Sequence, residues 1–423
     1  NNDVLVYWPI HDSWAKFNEG KLLVQFAIHR LDTWLSGTPF YETVHHLIQE
    51  GYSIDYLSDR FLEKINVENG IIKLPGGNYR SIIVPAAQHM PLKTLKKLVA
   101  LRTMGASVVF LGTPQSVPGF FEYQKREQAL KAFTEEKINK VYSLKEIEIP
   151  LKKAGVIREE LVKKGLKFIR REHRGEKIYY LVNHTSKKID EFVSLAIPSK
   201  EVLILDPLNG KSGKAITEHQ GEITKVKLSL PSGSSLFLKT FDRINAPKWD
   251  YYKPLKNSYK ILGDWDFKLI EGGPNIDFSK KTNRLTSWTQ WGKKMEAFSG
   301  TAQYLIKFNR PTEHKGPWLL ELGDVRESAK IWLNDKFVGT LWSNPYQLNI
   351  KNLKKGKNIL RIQVTNTGAN RIKAKEAGGE EWKTFYNINM VGLDYKPFDT
   401  SKWEVLEAGL LEDPKLIPLE ISK

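Results

Sequence analysis

The sequence predicts an open, mostly parallel α/β sheet at the front of the chain, a small β-sandwich in the middle and a larger β-sandwich at the end. Three observations carry this. Over residues 1–166 short apolar runs alternate with helical periods. From residue 167 the helical period gives way to short β-rich runs separated by Asn, Gly, Pro and Ser turns. From Ser299 to Ile372 apolar residues recur at every second position. Alternation over 4–8 residues marks a half-buried strand, and an unbroken apolar run between breakers marks one buried on both faces.

Taken in order, Val4–Trp8 is a short apolar run stopped by Pro9, as a buried parallel strand would be. Helical stretches are expected around Leu22–Leu31 and over Phe40–Gln49, where Val44, Leu47 and Ile48 share a face and Gly51 caps the end. Ser53–Leu57 and Ser81–Ala87 read as further strands. Leu92–Met104 reads as an amphipathic helix with Leu95, Leu98, Val99 and Met104 inward, and Ala106–Leu111 as the next strand. This succession with short links is flavodoxin-like in style. Glu122–Val141 is charged and helical, and residues 145–166 form a helix-rich connector broken near Pro150.

Residues 167–243 hold five or six short strands, with Asn209-Gly210 as a strong turn signal, and make a small β-sandwich. Pro247, Pro254 and few apolar periods mark 244–260 as a linker. The last region, 261–423, contains the alternating series: Tyr304, Ile306 and Phe308; Ile331 and Leu333; Leu360, Ile362 and Val364. Asn334-Asp335 lies between two of its strands as a two-residue hairpin loop that tolerates positive φ.

A length of 423 residues suits two to four domains. With no cysteine, disulfides, thiol catalysis and Cys-ligated zinc are excluded. No apolar run is long enough for a membrane-spanning helix. The net charge of +17 is spread as scattered basic pairs, without a run of three. That spacing describes a solvated lysine-rich surface rather than a nucleic-acid stripe, with an anionic polysaccharide as the alternative partner. The 12 Trp and 16 Tyr suit either sandwich cores or stacking on sugar faces. The chain opens with a strand in mid-domain and without Met, as a fragment of a longer or processed polypeptide would. Export to the periplasm or beyond is the expected location.

Ligands of open parallel sheets sit beyond the carboxyl ends of the strands. Those ends carry PIHDSW, SDR, PAAQHM and GTPQ, so His11, Asp12, Asp59 and His89 could meet in one crevice. They would form a polar site or docking edge there, or else cap helices and turn the chain. No GxGxxG follows the first strand and no GxSxG occurs, which removes support for a dinucleotide site and for a hydrolase elbow.

The phrases GDVRESAKIWLNDKFVGTLW, NPYQLNI and GKNILRIQVTN resemble the sugar-binding, galactose-binding-like jelly roll of glycoside hydrolase family 2. The middle region is similar to the small β-domain that follows the barrel in several glycosidases. The phrases NDVLVYWPIHDSW, YSIDYLSD, LTSWTQWGKKMEAFSGTAQY, NTGANRI and GGEEWKTFYNINMVGLDYKPFDTSKWEVLEAGLL resemble, in order, the C-terminal half of glycoside hydrolase family 106, the α-L-rhamnosidases. The family pattern ends in something like GLLGPV where this chain reads GLLEDPKL, a difference in a terminal turn.

This resemblance implies an enzyme that removes terminal α-L-rhamnose by inversion with two glutamates, often with a calcium ion at the sugar. It places those glutamates on an N-terminal (β/α)₈ barrel that this chain lacks, so no catalytic residue and no cofactor is assigned here. Glu380-Glu381 is a poor substitute, since neighbours on a strand point to opposite faces. The expected binding residues are Trp342, Asn344 and Tyr346, then Asn366, Asn370 and Arg371, then Trp382, Lys383 and Tyr386, together with His11 and Asp12. Trp suits stacking, and Asn or Arg suits hydroxyl groups. The alternative is that these residues dock the sandwich on the barrel, or complete a subsite beside its mouth. The expected partners are a rhamnose-containing glycan and the missing barrel, with oligomerisation through the α/β domain as a further expectation. A stand-alone carbohydrate-binding or structural protein is the competing reading.

Overall fold

The structure, a computed structural model, describes residues 1–15, 31–351, 353–383, 396 and 399–422. Most of the expected Leu22–Leu31 helix and Tyr386 lie outside them. The described chain is mostly β-sheet with few helices, and none of those helices is long and apolar enough to cross a membrane.

The front of the chain is a four-stranded parallel sheet in the order Ile54–Leu57, Val4–Tyr7, Ser81–Val84, Ser107–Phe110. Successive strand residues face opposite layers. Leu5, Tyr7, Ile82, Val84, Val108 and Phe110 therefore enter one core, with Leu95, Leu98 and Leu101 of the Leu92–Thr103 helix. Val4, Val6, Ile83 and Val109 enter the other, with Leu47 and Leu151. Burial on both faces explains the unbroken apolar runs. Met104, expected inward, is exposed, and Leu101 takes the place because it follows Leu98 by three residues on the helix face.

Local chemistry sets the helix ends. Thr38 accepts the Tyr41 N–H at 3.2 Å and Pro39 opens the Pro39–Gln49 helix. Gly51 follows at φ +87°, where a Cβ would lie 2.3 Å from the Glu159 carbonyl oxygen, so the position demands glycine twice over. Pro150 does not break the connector. It lies in the first turn of the Glu148–Lys153 helix, where no backbone donor is needed. A small antiparallel meander, Asn66–Glu68, Ile71–Leu74 and Gly77–Tyr79, comes between the second and third parallel strands and was not anticipated. Its signal is Asn69-Gly70, both at positive φ as a two-residue hairpin turn requires.

The middle of the chain pairs a five-stranded sheet with a three-stranded one around Tyr179, Leu181, Val193, Ile204, Val226 and Leu238. Residues 244–260, expected as a linker, are instead held in place. Trp249 N–H donates to the Lys214 carbonyl at 2.9 Å, and Tyr251 is buried in the middle core. Tyr251–Pro254 and Tyr259–Lys260 pair with Lys415–Ser422, near the far end of the chain. The strand partner is over 150 residues away, which local periodicity cannot reveal.

The last region packs a six-stranded sheet, running from Ser279–Thr282 through Ser299–Asn309 to Lys336–Leu341, against a five-stranded sheet that includes Trp318–Glu321, Gln347–Ile350 and Lys415–Ser422. Tyr304, Ile306, Phe308, Ile331, Leu333, Leu360, Ile362 and Val364 all point into its core, as the alternation predicts. Asn334 and Asp335 both sit at positive φ. The TNTGANRI phrase is not wholly loop: Ala369–Ala377 is a helix, and Glu380 follows it rather than lying on a strand.

Candidate functional site

The carboxyl ends of the parallel strands bring His11, Asp12, Asp59 and His89 onto one edge in two linked pairs. Tyr7, the last residue of the first strand, donates its phenol to Asp59 Oδ1 at 3.1 Å. Thr94, on the Leu92–Thr103 helix, donates its hydroxyl to the same oxygen. His11 Nε2 lies 3.5 Å from Asp59 Oδ2. Ser58 caps the short helix that Asp59 begins, through the Phe61 N–H. Asp12 receives the backbone N–H groups of Gln88 at 2.9 Å and His89 at 2.6 Å, and its Oδ1 lies 3.1 Å from His89 Nδ1. The first loop is thereby bound to the third. The third is bound to the fourth through the Gln88 carbonyl, which accepts the Gln115 and Ser116 N–H groups. At Gly112 a Cβ would lie 2.6 Å from Ala86 Cβ, so the two loops touch along their backbones.

Burial works to raise the Asp59 pKa. The hydrogen bonds from His11 and Thr94, the His11 charge and the Tyr7 hydrogen bond outweigh it, and the carboxyl is held below its ordinary value. Burial first, and then the Asp59 charge, pushes the Tyr7 phenol up. Asp59 is therefore a fixed acceptor that orients His11, and Tyr7 a fixed donor. Because Asp59's folded-state value is depressed, its stabilisation is present above the unfolded carboxyl value of about 4 and is lost as pH falls through the folded one. The stability gap between the native chain and Asp59→Asn should thus narrow as pH drops from about 6 to about 3. Urea unfolding along that series checks this, and a gap that widens on acidification contradicts it.

Trp14 stands exposed beside this cluster, with His11 edge-on to it at 5.2 Å. Tyr7 and Thr94 were not singled out from sequence. Tyr7 sits inside an apolar run and Thr94 inside an amphipathic helix, so both read as core.

The second group of expected residues divides. Trp342 is 64% exposed. Asn344, also exposed, precedes a cis Pro345, and its carbonyl oxygen lies 3.0 Å from where a Cβ on Gly233 of the middle sandwich would be. That loop abuts the neighbouring domain. Tyr346 is buried and donates to the Glu327 carbonyl at 2.6 Å. Asn370 is buried, donates to the Leu406 carbonyl at 2.7 Å and accepts the Leu406 N–H at 2.9 Å. Asn366 ties the Gly300 N–H to the Phe298 carbonyl. Tyr346, Asn366 and Asn370 thus act as backbone clamps in this fold, because each amide or phenol satisfies a main-chain group. Arg371 lies against Gly273, where a Cβ would be 1.8 Å from its Nη1. Trp382 Nε1 donates to Glu376, and Lys383 Nζ lies 3.4 Å from the other Glu376 oxygen and 5.2 Å from the Trp382 ring centre. Among the described residues no hydrogen bond or ion pair joins the second group to His11 and Asp12. No three His, Asp or Glu side chains among them converge as a metal site.

Comparison with known proteins follows this architecture. A rhamnosidase from Novosphingobium sp. PP1Y shares the fold over 99% of this chain, at TM-score 0.69 and 23% identity, and the shared part is 39% of that protein. A Formosa agariphila protein named as a candidate beta-glucuronidase is 33% identical over 135 residues, covering 29% of this chain and 11% of its own length. A family 2 beta-galacturonidase from Eisenbergiella tayi overlays 40% of this chain and 25% of its own at 16% identity and TM-score 0.26, too little for any argument. The chain thus spans well under half the length of these relatives. Residues 29–219 match the family model of the alpha-L-rhamnosidases, glycoside hydrolase family 106.

Proposed function

We propose that residues 1–423 are the accessory, non-catalytic C-terminal portion of an α-L-rhamnosidase-like enzyme acting on plant or microbial polysaccharide. The supporting observation is the fold match: almost the whole of this chain corresponds to only 39% of a rhamnosidase. In this reading the catalytic barrel and its two glutamates lie on other residues of the same polypeptide. An inverting glycosidase needs an acid and a base ~6.5–9.5 Å apart with a water between them. The carboxylates of the candidate groups are already engaged: Asp59 by Tyr7 and Thr94, Asp12 by two backbone N–H groups, and Glu376 by Trp382 and Lys383.

The domains in this reading are a flavodoxin-like unit over 1–166, a small sandwich over 167–243 and a jelly roll over 261–423. The last docks beside the barrel mouth, with Trp342 free to stack on a sugar there. The whole enzyme would act outside the cytoplasm, and calcium, where used, would be held by the barrel. The purified chain is expected to give no turnover of p-nitrophenyl α-L-rhamnoside above the buffer blank. Turnover that co-purifies with residues 1–423 and disappears in Asp59→Asn would overturn the assignment. The exposure of Trp342 also supports a stand-alone carbohydrate-binding role, which requires rhamnoside binding without the barrel and its loss in Trp342→Ala.

A further inference from the structure

We propose that the outer face of the six-stranded sheet is a docking surface for an acidic polysaccharide whose charges are uronate carboxylates. The class of partner rests on the glycan reading above, and the place rests on the strand register.

Four adjacent strands of that sheet, Ser299–Asn309, Lys357–Thr365, Ser328–Leu333 and Lys336–Leu341, contain no Asp or Glu. Alternate residues such as Tyr304, Ile306, Ile331, Leu360 and Ile362 fill the core. The residues between them leave on the opposite face, and none of those is buried.

Cross-strand pairing gathers four cations there. Asn309 lies opposite Lys357, Lys307 opposite Ile359, Leu305 opposite Arg361, and Gln363 opposite Lys330. Lys357, Lys307, Arg361 and Lys330 therefore follow a zigzag. Each is one strand across and two residues along from the one before, about 8 Å apart at the backbone. From Lys357 to the level of Gln363 the line is about 20 Å long. Each step is within the Debye length of ~10 Å at 0.1 M salt, so the four potentials add. Among the described residues none of the four meets a carboxylate. The acids of this face, Asp266 and Glu271, are on the Trp265–Gly273 strand, on the other side of Ser299–Asn309. Asp266 lies 3.8 Å from Lys281 there.

The neighbours of the cations narrow the partner. Trp332 stands between Arg361, 4.6 Å over its ring, and Phe337, whose ring centre is 5.6 Å away on the next strand. Phe337 is the open ring of this stack, 58% exposed. One open ring suits one sugar face, whereas a nucleic-acid strand stacks on a succession of them. Gln363 donates to Gln303 at 3.4 Å, and the Thr301 and Thr365 hydroxyls meet at 2.8 Å. These groups offer further donors and acceptors to hydroxyl groups. A uronate keeps its ring hydroxyls beside the carboxylate, while a sulfate ester uses one up. Cations interleaved with amides and hydroxyls match the uronate.

Titration calorimetry at low salt tests this with a galacturonate hexamer. A carrageenan oligosaccharide and an oligothymidylate, each of equal charge, and neutral cellohexaose are the comparison probes. Saturable binding of the hexamer is expected, tighter than that of any other probe. It should weaken at least fivefold in the triple variant Lys307→Gln, Lys330→Gln, Lys357→Gln, and be retained in the corresponding triple to Arg. A triple of equal charge change elsewhere, Lys125→Gln, Lys145→Gln, Lys167→Gln, should leave it unaltered. All six lysines are exposed, so the variants should keep the native urea midpoint. No saturation by the hexamer, equal or tighter binding of another probe, or equal weakening by the two glutamine triples overturns the proposal. Binding is read without turnover, so failure here leaves the outcome of the rhamnoside assay standing, and the reverse holds too.

Discussion

Arg170→Ala is expected to lower the unfolding free energy by about 3–5 kcal/mol, the cost of stranding one partner of a buried ion pair. Arg170 is nearly fully buried on the Leu166–His173 strand. Its Nη1 donates to Glu159 at 2.9 Å, and its Nη2 donates to Asp3 and to Ser53 Oγ, the latter at 3.0 Å. Glu159 is 1% exposed and also receives the Tyr179 phenol and the Ala196 N–H, each at 2.8 Å. This network joins the parallel-sheet region to the middle sandwich. Burial raises the Glu159 pKa, against the Ala196 N–H, the Arg170 charge and the Tyr179 hydrogen bond. Without the guanidinium only burial and two neutral donors remain, and the carboxyl rises further.

The sign of the pH effect follows. A folded-state pKa raised above the unfolded one favours the fold fully below the unfolded value, and that contribution is lost as pH rises through the folded one. The deficit of Arg170→Ala should therefore be larger at pH ~8 than at pH ~5. Urea unfolding at the two pH values reads it directly. A deficit that is equal at both, or below about 1 kcal/mol, would show that the pair is solvated. Replacing both partners by Arg170→Met with Glu159→Leu should recover most of the loss, because it removes the stranded charge along with its partner.

Trp288→Ala should cost about 3–5 kcal/mol, and Trp288→Phe distinctly less. Trp288 is fully buried among Phe267 and Phe298, with ring centres at 6.1 and 6.0 Å, and it lies 3.1 Å from where a Cβ on Gly409 would be. The alanine variant leaves a void that the flanking strands cannot collapse into, since Gly409 is already in contact. Among the described residues the indole N–H has no hydrogen-bond partner, so phenylalanine also removes an unpaired buried donor and keeps most of the apolar contact. Denaturant midpoints of the two variants test the order, and a phenylalanine variant as weak as the alanine one would contradict it.

Trp288 also explains why Leu285–Tyr304 is so recognisable a phrase. Ser287 Oγ accepts the Ala408 N–H at 2.9 Å, and Tyr304 Oη accepts the Leu410 N–H at 3.2 Å. Phe298 and Trp288 fill the space between. Leu285, Ser287, Trp288, Met295, Phe298 and Tyr304 of the phrase are buried, and they seat residues 408–410 against the core.

Much of the architecture was legible because period and burial are linked locally. A strand that alternates has one dry face, and one that is apolar throughout has two, so Val4–Tyr7 and Ser299–Asn309 could be told apart from residues alone. The Asn69-Gly70 hairpin carried the same kind of local signal, and the linker of 244–260 did not, since its strand partners are near the other end of the region. The site was legible only as residue types at strand ends. His11, Asp12, Asp59 and His89 do share one edge, because parallel strands bring their carboxyl ends together.

By itself the sequence determined the order of the three regions, the inward faces of the strands and the family likeness. Only the tertiary structure decided which polar side chains are free to meet a ligand. Asn370 and Asn309 are the same residue type in similarly polar surroundings, yet Asn370 is spent on the backbone of Leu406 while Asn309 stands on the open face of a sheet. The physical reason is that every buried main-chain N–H and C=O must find a partner. The group that makes the demand is often distant in the chain, 36 residues away for Asn370 and 66 for Asn366.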